Sequence, residues 1–280
     1  MRPILVAVAW PYANGPLHLG HIAGAYLPAD IFARYQRMAG NRVLMVSGSD
    51  QHGTPVTVRA DKEGRTPQEV IDEFHPQFLR YWQELGISFD LFTSTGTENH
   101  TAVVHDVFLR LLKNGYVYKG ITQQFYDPQA ERFLPDRYVE GTCPHCGYEN
   151  ARGDQCDNCG RTLDPDQLLN PRSRITGATP EMRDTEHFFF KLSVFQEPLL
   201  EWLRGRSGWR KHVLNSSISF IEEGLHDRAI TRDLEWGISV PVEDLGAGKR
   251  IYVWIEALIG YLSASKEWAE RSGDPEAPEV

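Results

Sequence analysis

The chain has 280 residues, 41% of them hydrophobic and 11% aromatic, so it is long enough to bury one large core or two smaller ones. A formal net charge of -9 at pH 7 excludes an overall basic field, so contact with nucleic acid would need a local basic patch. Arg204, Arg206, Arg210 and Lys211 form one such patch, although a charge run is more often a solvated face. No apolar run is long enough to span a membrane, and the sequence predicts a cytoplasmic protein.

The amino-terminal segment predicts a strand, a loop, a helix and a second strand. Residues 4–9 and 43–46 are apolar runs of strand length. Between them the loop PYANGPLHLGH, residues 11–21, leads into apolar residues at helical spacing that end near Gly40. A strand that is apolar along its whole length is typical of a parallel sheet covered on both faces. We therefore predict a parallel βαβ unit with a buried first strand and with the loop at the carboxyl edge of the sheet.

The remaining elements follow from the same kinds of signal. Thr66 and Glu69 form a capping box that predicts a helix ending near residue 85, and an apolar stripe predicts another helix over residues 97–113. Later segments predict a hairpin at 116–138, a strand at 187–192, helices at 195–204 and 217–225, and a strand followed by a helix at 249–271.

The loop after the first strand has the features of a phosphate site. Unpaired amide groups and the dipole at a helix N-terminus attract anions. Gly15 and Gly20 remove side chains where a nucleotide would approach the backbone, and His18 and His21 share one face of the first helical turn. Two histidines at this spacing are on their own more often idle or paired over a metal, but the strand, the glycines and the helix start favour phosphate binding.

All four cysteines lie in one short segment, where Cys143 and Cys146 form one CxxC pair and Cys156 and Cys159 form another. Four thiolates at this spacing suit tetrahedral Zn²⁺, whose binding can supply on the order of 10 kcal/mol to a polar segment. Two disulfides would need an oxidising compartment, of which there is no sign, and iron would also fit four sulfurs. No ligand position is left open, so we predict a structural metal, with His145 as a turn residue facing solvent.

Six motifs together resemble one enzyme family. HLGH, residues 18–21, resembles the HIGH signature of class I aminoacyl-tRNA synthetases, and AWPYANGPLHLGH is similar to the form found in methionyl-tRNA synthetases. The other matching segments occur in the same order as in that family: RYQRMAGNRVLMVSGSDQHGTP, FLPDRYVEGTCPHCG, GATPEMRDTEHFFF, AITRDLEWG and YVWIEALIGY. The valyl, isoleucyl and leucyl enzymes usually carry an editing domain, because one methylene discriminates by only about 1–3 kcal/mol, and the insertion here is too short for one.

The resemblance implies an α/β fold, in which a Rossmann-like parallel sheet is interrupted by an α+β insertion. Residues 1–115 are then the first half of the catalytic domain. Residues 116–230 are a connective insertion with the zinc knuckle at 143–160, and residues 231–280 begin the second half.

The resemblance also implies an activity, in which methionine reacts with ATP, accompanied by Mg²⁺, to give methionyl-adenylate and is then passed to tRNA(Met). No sequence feature indicates a membrane or a protein partner. His18 and His21 are then the catalytic donors at the transferring phosphate. The ATP-binding residues implied are Tyr12, Asn14, Gly15, His18, Gly20 and His21.

Methionine would need a carboxylate for its ammonium group and aromatic walls for its polarizable thioether. By resemblance Asp50 is that carboxylate, although an aspartate in this position is on its own as often a turn residue. The other positions that match the pocket are Ala9, Trp10, Tyr12, Trp254, Ala257, Leu258 and Tyr261. Without the family match they would be taken as ordinary core. Trp10 stands where many relatives have Leu, and the sequence Glu256, Ala257, Leu258 departs from a motif that ends in Pro in some relatives.

A class I site also needs a lysine-containing loop, KMSKS in its usual spelling, and no such sequence occurs here. We therefore expect an amino-terminal fragment of the enzyme that is inactive when alone. The alternative is a truncated, non-catalytic paralogue of a synthetase that acts as a zinc-containing binding module.

Overall fold

The computed structural model describes residues 3–153, 155–163, 165–245 and 248–273. Within those residues no helix has the length and apolarity needed to cross a membrane. The helices are α1 (Leu19–His21), α2 (Leu27–Met38), α3 (Thr54–Glu63), α4 (Pro67–Leu85), α5 (Glu98–Lys113), α6 (Gln196–Arg204), α7 (Lys211–Glu222) and α8 (Val253–Ser272), with a π-helical segment at Ile22–Tyr26. Short 3₁₀ turns lie at Asp136–Tyr138, Pro165–Gln167, Leu192–Phe195 and Glu243–Leu245.

The strands belong to one parallel sheet and several antiparallel ones. They are β1 (Pro3–Ala7), β2 (Arg42–Ser49), β3 (Leu91–Ser94), β4 (Val117–Asp127), β5 (Arg132–Phe133), β6 (Val139–Thr142), β7 (Ala151–Arg152), β8 (Leu169–Ser173), β9 (Glu181–Phe190), β10 (Arg228–Ala229), β11 (Thr231–Asp233) and β12 (Lys249–Ile251). β1, β2 and β3 are parallel and lie in that order. The predicted α/β class with a parallel sheet is therefore confirmed.

The main core lies between the parallel sheet and helices α2, α3 and α4. Met45 of β2, Val56 of α3 and Phe78 of α4 are fully buried there. The predicted capping box starts α4: the Glu69 amide donates to Thr66 Oγ1 at 3.2 Å, and the Thr66 amide donates to Glu69 Oε2 at 2.7 Å. Local hydrogen bonding and apolar spacing thus agree on this helix.

Strand β1 is not buried, contrary to the prediction. It is the edge strand of its sheet, and Leu5 is 53% exposed while Val6 packs against the core. None of the described elements covers the face that carries Leu5. A continuous apolar run indicates a strand, but it does not reveal whether the second face has a partner.

The predicted hairpin at 116–138 is confirmed by β4 and β5, and the predicted strand at 187–192 lies largely within β9. β4 and β9 pair along most of their lengths in a sheet of order β10-β9-β4-β5, and a second sheet has the order β7-β6-β8. The helix predicted at 217–225 is wrong in its bounds, because α7 already begins at Lys211. Lys211, His212 and Val213 are exposed, so no apolar stripe marks that start.

Helix α8 packs against α5, β2 and β3, far from it in sequence. Thr93 Oγ1 of β3 donates to Glu267 Oε2 of α8 at 2.8 Å, and the Asn99 side chain of α5 donates to the Ser263 carbonyl at 2.9 Å. The domain bounds 1–115, 116–230 and 231–280 stay a prediction.

Gly48 of β2 gives a test of the packing that places Trp10. A Cβ there would lie 2.6 Å from Trp10 Cζ3 and 2.7 Å from the Thr93 carbonyl oxygen. We expect Gly48→Ala to lower the free energy of unfolding by about 1–3 kcal/mol, as overpacked sites do. Urea denaturation measures this effect.

Gly24→Ala is the matched control, because a Cβ at that helical glycine meets no atom within 4 Å. It should leave stability unchanged or raise it by about 0.5–1 kcal/mol. Equal stability of the two variants would contradict the packing argument.

Candidate functional site

The segments that follow β1 and β2 are joined by backbone hydrogen bonds at the carboxyl edge of the sheet. The Asp50 amide donates to the Pro11 carbonyl at 2.8 Å, and the Ala13 amide donates to the Asp50 carbonyl at 2.9 Å. Tyr12 and Asp50 therefore form an isolated parallel bridge. The loop after β1 and the turn after β2, which were predicted to belong to one site, are therefore adjacent in the fold.

A cavity of about 430 Å³ opens beside this bridge. Of the predicted residues, Tyr12, Asn14 and Trp254 line it. The other lining residues come from the β2–α3 loop, the first turn of α3, the insertion, β11 with the residue after it, and the start of α8: His52, Thr54, Pro55, Pro135, Arg137, Arg232, Leu234, Tyr252 and Val253. Two guanidinium groups beside aromatic rings and an amide side chain suit a ligand that is both anionic and aromatic.

Asp50, which pairs with Tyr12 in the bridge, is buried with 4% of its surface exposed and is not part of the cavity lining. Its Oδ1 accepts a hydrogen bond of 3.3 Å from the His52 amide. Burial and the nearby negative charge of Glu256 raise the pKa of Asp50 well above its ordinary value. Burial and Asp50 likewise raise the pKa of the Tyr12 phenol. A cation bound beside Asp50 would offset the cost of burial and stabilise the ionised carboxylate.

The two histidines of HLGH lie at the start of α1 and are exposed. Their rings stack with centroids 3.7 Å apart, and the His18 amide donates to His21 Nδ1 at 3.2 Å. In neutral His21 the proton is therefore on Nε2, which is free to donate. A Cβ at Gly20 would lie 2.9 Å from the exposed His18 ring, so a side chain there would displace that ring. Burial and His18 lower the pKa of His21. Among the described residues, neither histidine is part of the cavity lining.

The predicted apolar pocket residues divide into two groups. Trp10 and Tyr261 meet edge to face with centroids 6.3 Å apart. Gly260 leaves room for Trp10, because a Cβ there would lie 3.1 Å from the indole ring. The other members stand on more open surface: Ala9, Trp254 and Leu258 are exposed, and Ala257 is half-buried.

The loop that carries Asn14 and Gly15 is held from α3. Arg59 Nη1 donates to the Asn14 carbonyl at 2.8 Å, and a Cβ at Gly15 would lie 3.3 Å from the same nitrogen. This contact fixes the loop between β1 and α1 relative to α3.

The four cysteines form a second candidate site, a metal centre. All four sulfur atoms lie within 4.8 Å of one another, with 3.9 Å between Cys143 and Cys159 and 3.6 Å between Cys146 and Cys156. Zn–S bonds of 2.3 Å in a tetrahedron require sulfur atoms about 3.8 Å apart, so the donor set fits a metal such as zinc. The same distances exclude disulfide bonds in this state.

Each CxxC pair lies in a turn of the same form. The Gly147 amide donates to the Cys143 carbonyl and the Gly160 amide to the Cys156 carbonyl. Both glycines have positive φ, 72° and 73°, which is the conformation that glycine tolerates at no cost. The fold therefore presents the sulfur pairs symmetrically.

The sequence and the fold were compared with those of known proteins. Residues 4–279 match the family model described as tRNA synthetases class I (M). The chain belongs to this family. The predicted resemblance to class I synthetases is thereby confirmed.

Curated relatives in the family are similar along nearly the whole chain. A protein of Roseiflexus sp. (strain RS-1) named "Methionine--tRNA ligase" is 62% identical over 277 residues, which are 98% of this chain and 47% of the relative. One of the same name from Dehalococcoides mccartyi (strain CBDB1) is 58% identical, over 98% of this chain and 49% of the relative. The chain thus spans about half the length of these relatives.

Solved structures agree with the fold. The structure described as Mycobacterium tuberculosis methionyl-tRNA synthetase in complex with methionyl-adenylate matches with a TM-score of 0.72 and 25% sequence identity. The match covers 100% of this chain and 48% of that chain.

The buried carboxylate of Glu256 and its two histidine partners were not predicted from the sequence. Glu256 Oε1 lies 3.1 Å from His52 Nδ1, and Glu256 Oε2 lies 2.9 Å from His100 Nε2. The sequence did contain a signal for this carboxylate, because Glu256 is an acidic residue among the apolar residues of the last predicted helix. Arg137, Arg232 and Tyr252 were also missed; the Arg232 guanidinium stacks 4.1 Å from the Tyr252 ring centroid.

The basic patch is partly neutralised. Arg204 Nη2 lies 2.8 Å from Glu222 Oε1, and the Arg206 guanidinium stacks over the Trp202 ring at 4.2 Å. Arg210 and Lys211 are exposed. Contact of this patch with nucleic acid stays a prediction.

The raised pKa of Asp50 predicts a gain in stability for Asp50→Asn. Ionising the buried carboxyl costs free energy in the folded state only, so that cost is absent below about pH 4, where the carboxyl is protonated in both states. The gain should grow by about 1.4 kcal/mol per pH unit until the raised pKa is passed. Urea unfolding between pH 4 and pH 8 measures it.

Asp72→Asn, on the exposed side of α4, is the control and should change stability by less than about 0.5 kcal/mol. A variant at Asp50 that is no more stable than the parent at pH 7 would mean that the carboxylate is stabilised in the folded state.

Proposed function

We propose that the protein is a methionine–tRNA ligase, which activates methionine with ATP and transfers it to tRNA(Met). The observation that carries this proposal is the 62% identity, over 98% of the chain, to a relative named "Methionine--tRNA ligase". Residues 1–115 and 231–280 contribute to the catalytic domain, and residues 116–230 form the connective insertion. Because methionyl-tRNA is used in protein synthesis, we expect the activity in the cytoplasm.

The first half-reaction is attack of a methionine carboxylate oxygen on the α-phosphorus of ATP, with cleavage of the bond to pyrophosphate. In the second, the methionyl carbonyl passes to a hydroxyl of the terminal adenosine of tRNA and AMP leaves. Such steps depend on positioning and on stabilising negative charge, without a protein nucleophile. Mg²⁺ bound with ATP would neutralise part of the triphosphate charge.

The nucleotide would bind at the loop between β1 and α1. The proposed contacts are with Tyr12, Asn14, Gly15, His18, Gly20 and His21. The Nε2 proton of His21 supports a donor role toward a phosphate oxygen, and the guanidinium groups of Arg137 and Arg232 line the neighbouring cavity. A homologous structure described as a complex with methionyl-adenylate supports an adenylate as ligand.

Methionine would bind with its ammonium group at Asp50, whose buried carboxylate accepts a hydrogen bond from the His52 amide. Its thioether would lie among the apolar side chains of Ala9, Trp10, Tyr12, Trp254, Ala257, Leu258 and Tyr261. Trp10 and Tyr261 already form one aromatic corner of such a pocket.

We further propose that the four cysteines hold one structural Zn²⁺. Cys143 and Cys156 belong to a buried apolar cluster, so the ion would complete a small core. Four thiolates leave no position for a substrate, and the ion would supply folding free energy only.

Amino-acid-dependent exchange of pyrophosphate into ATP tests the function on the complete gene product. Methionine should be the one amino acid of the twenty that supports exchange. His21→Ala should lower the rate about 10²- to 10³-fold, equivalent to about 2.7–4 kcal/mol, because it removes a donor at the transferring phosphate.

His212→Ala, at an exposed position of α7, is the matched control and should retain the parental rate. Exchange with another amino acid, or none at all, would refute the function, whereas a His21→Ala rate within tenfold of the parent would refute the catalytic role alone.

Metal analysis tests the zinc proposal. The purified protein should contain one zinc per chain, and Cys146→Ser should lose it because a hydroxyl is a poor ligand for this site. His145→Ala, one residue away, should keep the zinc. Iron as the bound metal, or full zinc content in Cys146→Ser, would contradict the proposal.

A further inference from the structure

Glu256 stands in the first turn of α8 with none of its surface exposed. Its two carboxylate oxygens accept hydrogen bonds from different elements: Oε1 from His52 in the β2–α3 loop and Oε2 from His100 in α5. His100 Nδ1 lies 2.8 Å from Ser263 Oγ, which donates to the Gly260 carbonyl one turn below Glu256. A chain of polar contacts therefore joins three elements through one carboxylate.

Stability gives no reason for a carboxylate at this position. Burying an ion costs several kcal/mol, and well-packed apolar residues often replace a buried ion pair without loss. Burial acts to raise the pKa of Glu256, but the hydrogen bonds from His100 and His52 outweigh it and hold the pKa below its ordinary value. Glu256 is thus kept ionised although it is buried, and buried ionised groups of this kind are common at functional sites.

The two hydrogen-bond partners of Glu256 each contact a residue that is proposed to bind methionine. His52 follows Asp50 by two residues, and its amide donates to the Asp50 carboxylate. His100 lies beside Trp10, with ring centroids 6.2 Å apart. Ala257 follows Glu256 directly on α8. The network therefore touches the Asp50 carboxylate and the Trp10 ring, which are two parts of the proposed pocket.

We propose that Glu256 is a positioning residue of the amino-acid site. Through His52 and His100 it fixes the turn that carries Asp50 against the first turn of α8, and its charge joins that of Asp50 in attracting the substrate ammonium group. This inference rests on the proposed function, because it assigns the α-amino group of methionine to Asp50.

The charged and titratable groups around Asp50 make the electrostatic part testable. They are Glu256 from α8 and the Tyr12 phenol from the loop after β1, while His52 contributes its amide. The charge of Glu256 raises the pKa of Asp50, so removing that charge should lower it. The acidic limb of kcat/KM for methionine, where Asp50 becomes protonated, should then move to lower pH.

The experiment measures methionine-dependent ATP–pyrophosphate exchange against pH in the complete gene product. We expect Glu256→Gln to raise KM for methionine at least about tenfold, equal to about 1.4 kcal/mol, while KM for ATP changes less than about threefold. Its acidic limb should move to lower pH. Glu256→Asp keeps the charge on a shorter side chain, so KM for methionine should rise while the limb stays in place.

Glu267→Gln is the matched control, since Glu267 is another buried carboxylate of α8 but binds Thr93 and Arg271 away from the site. It should lower stability without moving KM for methionine or the acidic limb.

The inference would be overturned if Glu256→Gln left both KM for methionine and the acidic limb of kcat/KM unchanged. It would also be overturned if Glu267→Gln changed both quantities as much as Glu256→Gln does. If Glu256→Gln does not fold, Glu256→Asp decides the question, and an unchanged KM for methionine would then overturn it. Absence of methionine-dependent exchange in the parent protein would instead refute the proposed function.

Discussion

The parallel pairing of β1 with β2, extended beyond both strands to the Tyr12–Asp50 bridge, is the constraint on which the site depends. It brings the loop that leads to HLGH beside the turn that follows β2. Because side chains alternate along a strand, a slip of one residue in this register would reverse the face on which each side chain lies. Backbone hydrogen bonds therefore place two chemically different segments side by side before any ligand is present.

Two ionisable side chains are buried around this bridge, although burying a charge lowers the stability of the folded protein. Asp50 and Glu256 are both buried, yet their surroundings act in opposite directions: burial dominates at Asp50, whereas donated hydrogen bonds dominate at Glu256. Among the described residues Asp50 accepts a hydrogen bond from a backbone amide, whereas Glu256 accepts hydrogen bonds from two histidine side chains. Two acids in one region with divergent environments are typical of functional sites rather than of cores.

The sequence predicted features that depend on neighbours in the chain. The Thr66–Glu69 box, the stripe of α5 and the CxxC pairs were readable because their contacts span few residues. α3 was missed because SGSDQHGTP has turn composition, although Pro55 in its first turn and Gly64 at its end mark the helix. The exposed edge of β1 and the contact between His52 and Glu256, 204 residues apart, depend on tertiary packing that no local pattern records.

The candidate metal centre and the proposed active site are linked through α3. Tyr138, whose ring packs in the same apolar cluster as Cys143 and Cys156, donates its phenolic proton to Asp61 at 2.7 Å and lies 3.2 Å from Thr57 Oγ1. Burial is the main reason that the pKa of Tyr138 rises to about 12, so the phenol stays a donor at neutral pH. Helix α3 begins directly after the turn of Asp50 and His52. A metal that orders the insertion would therefore steady the substrate site without touching substrate.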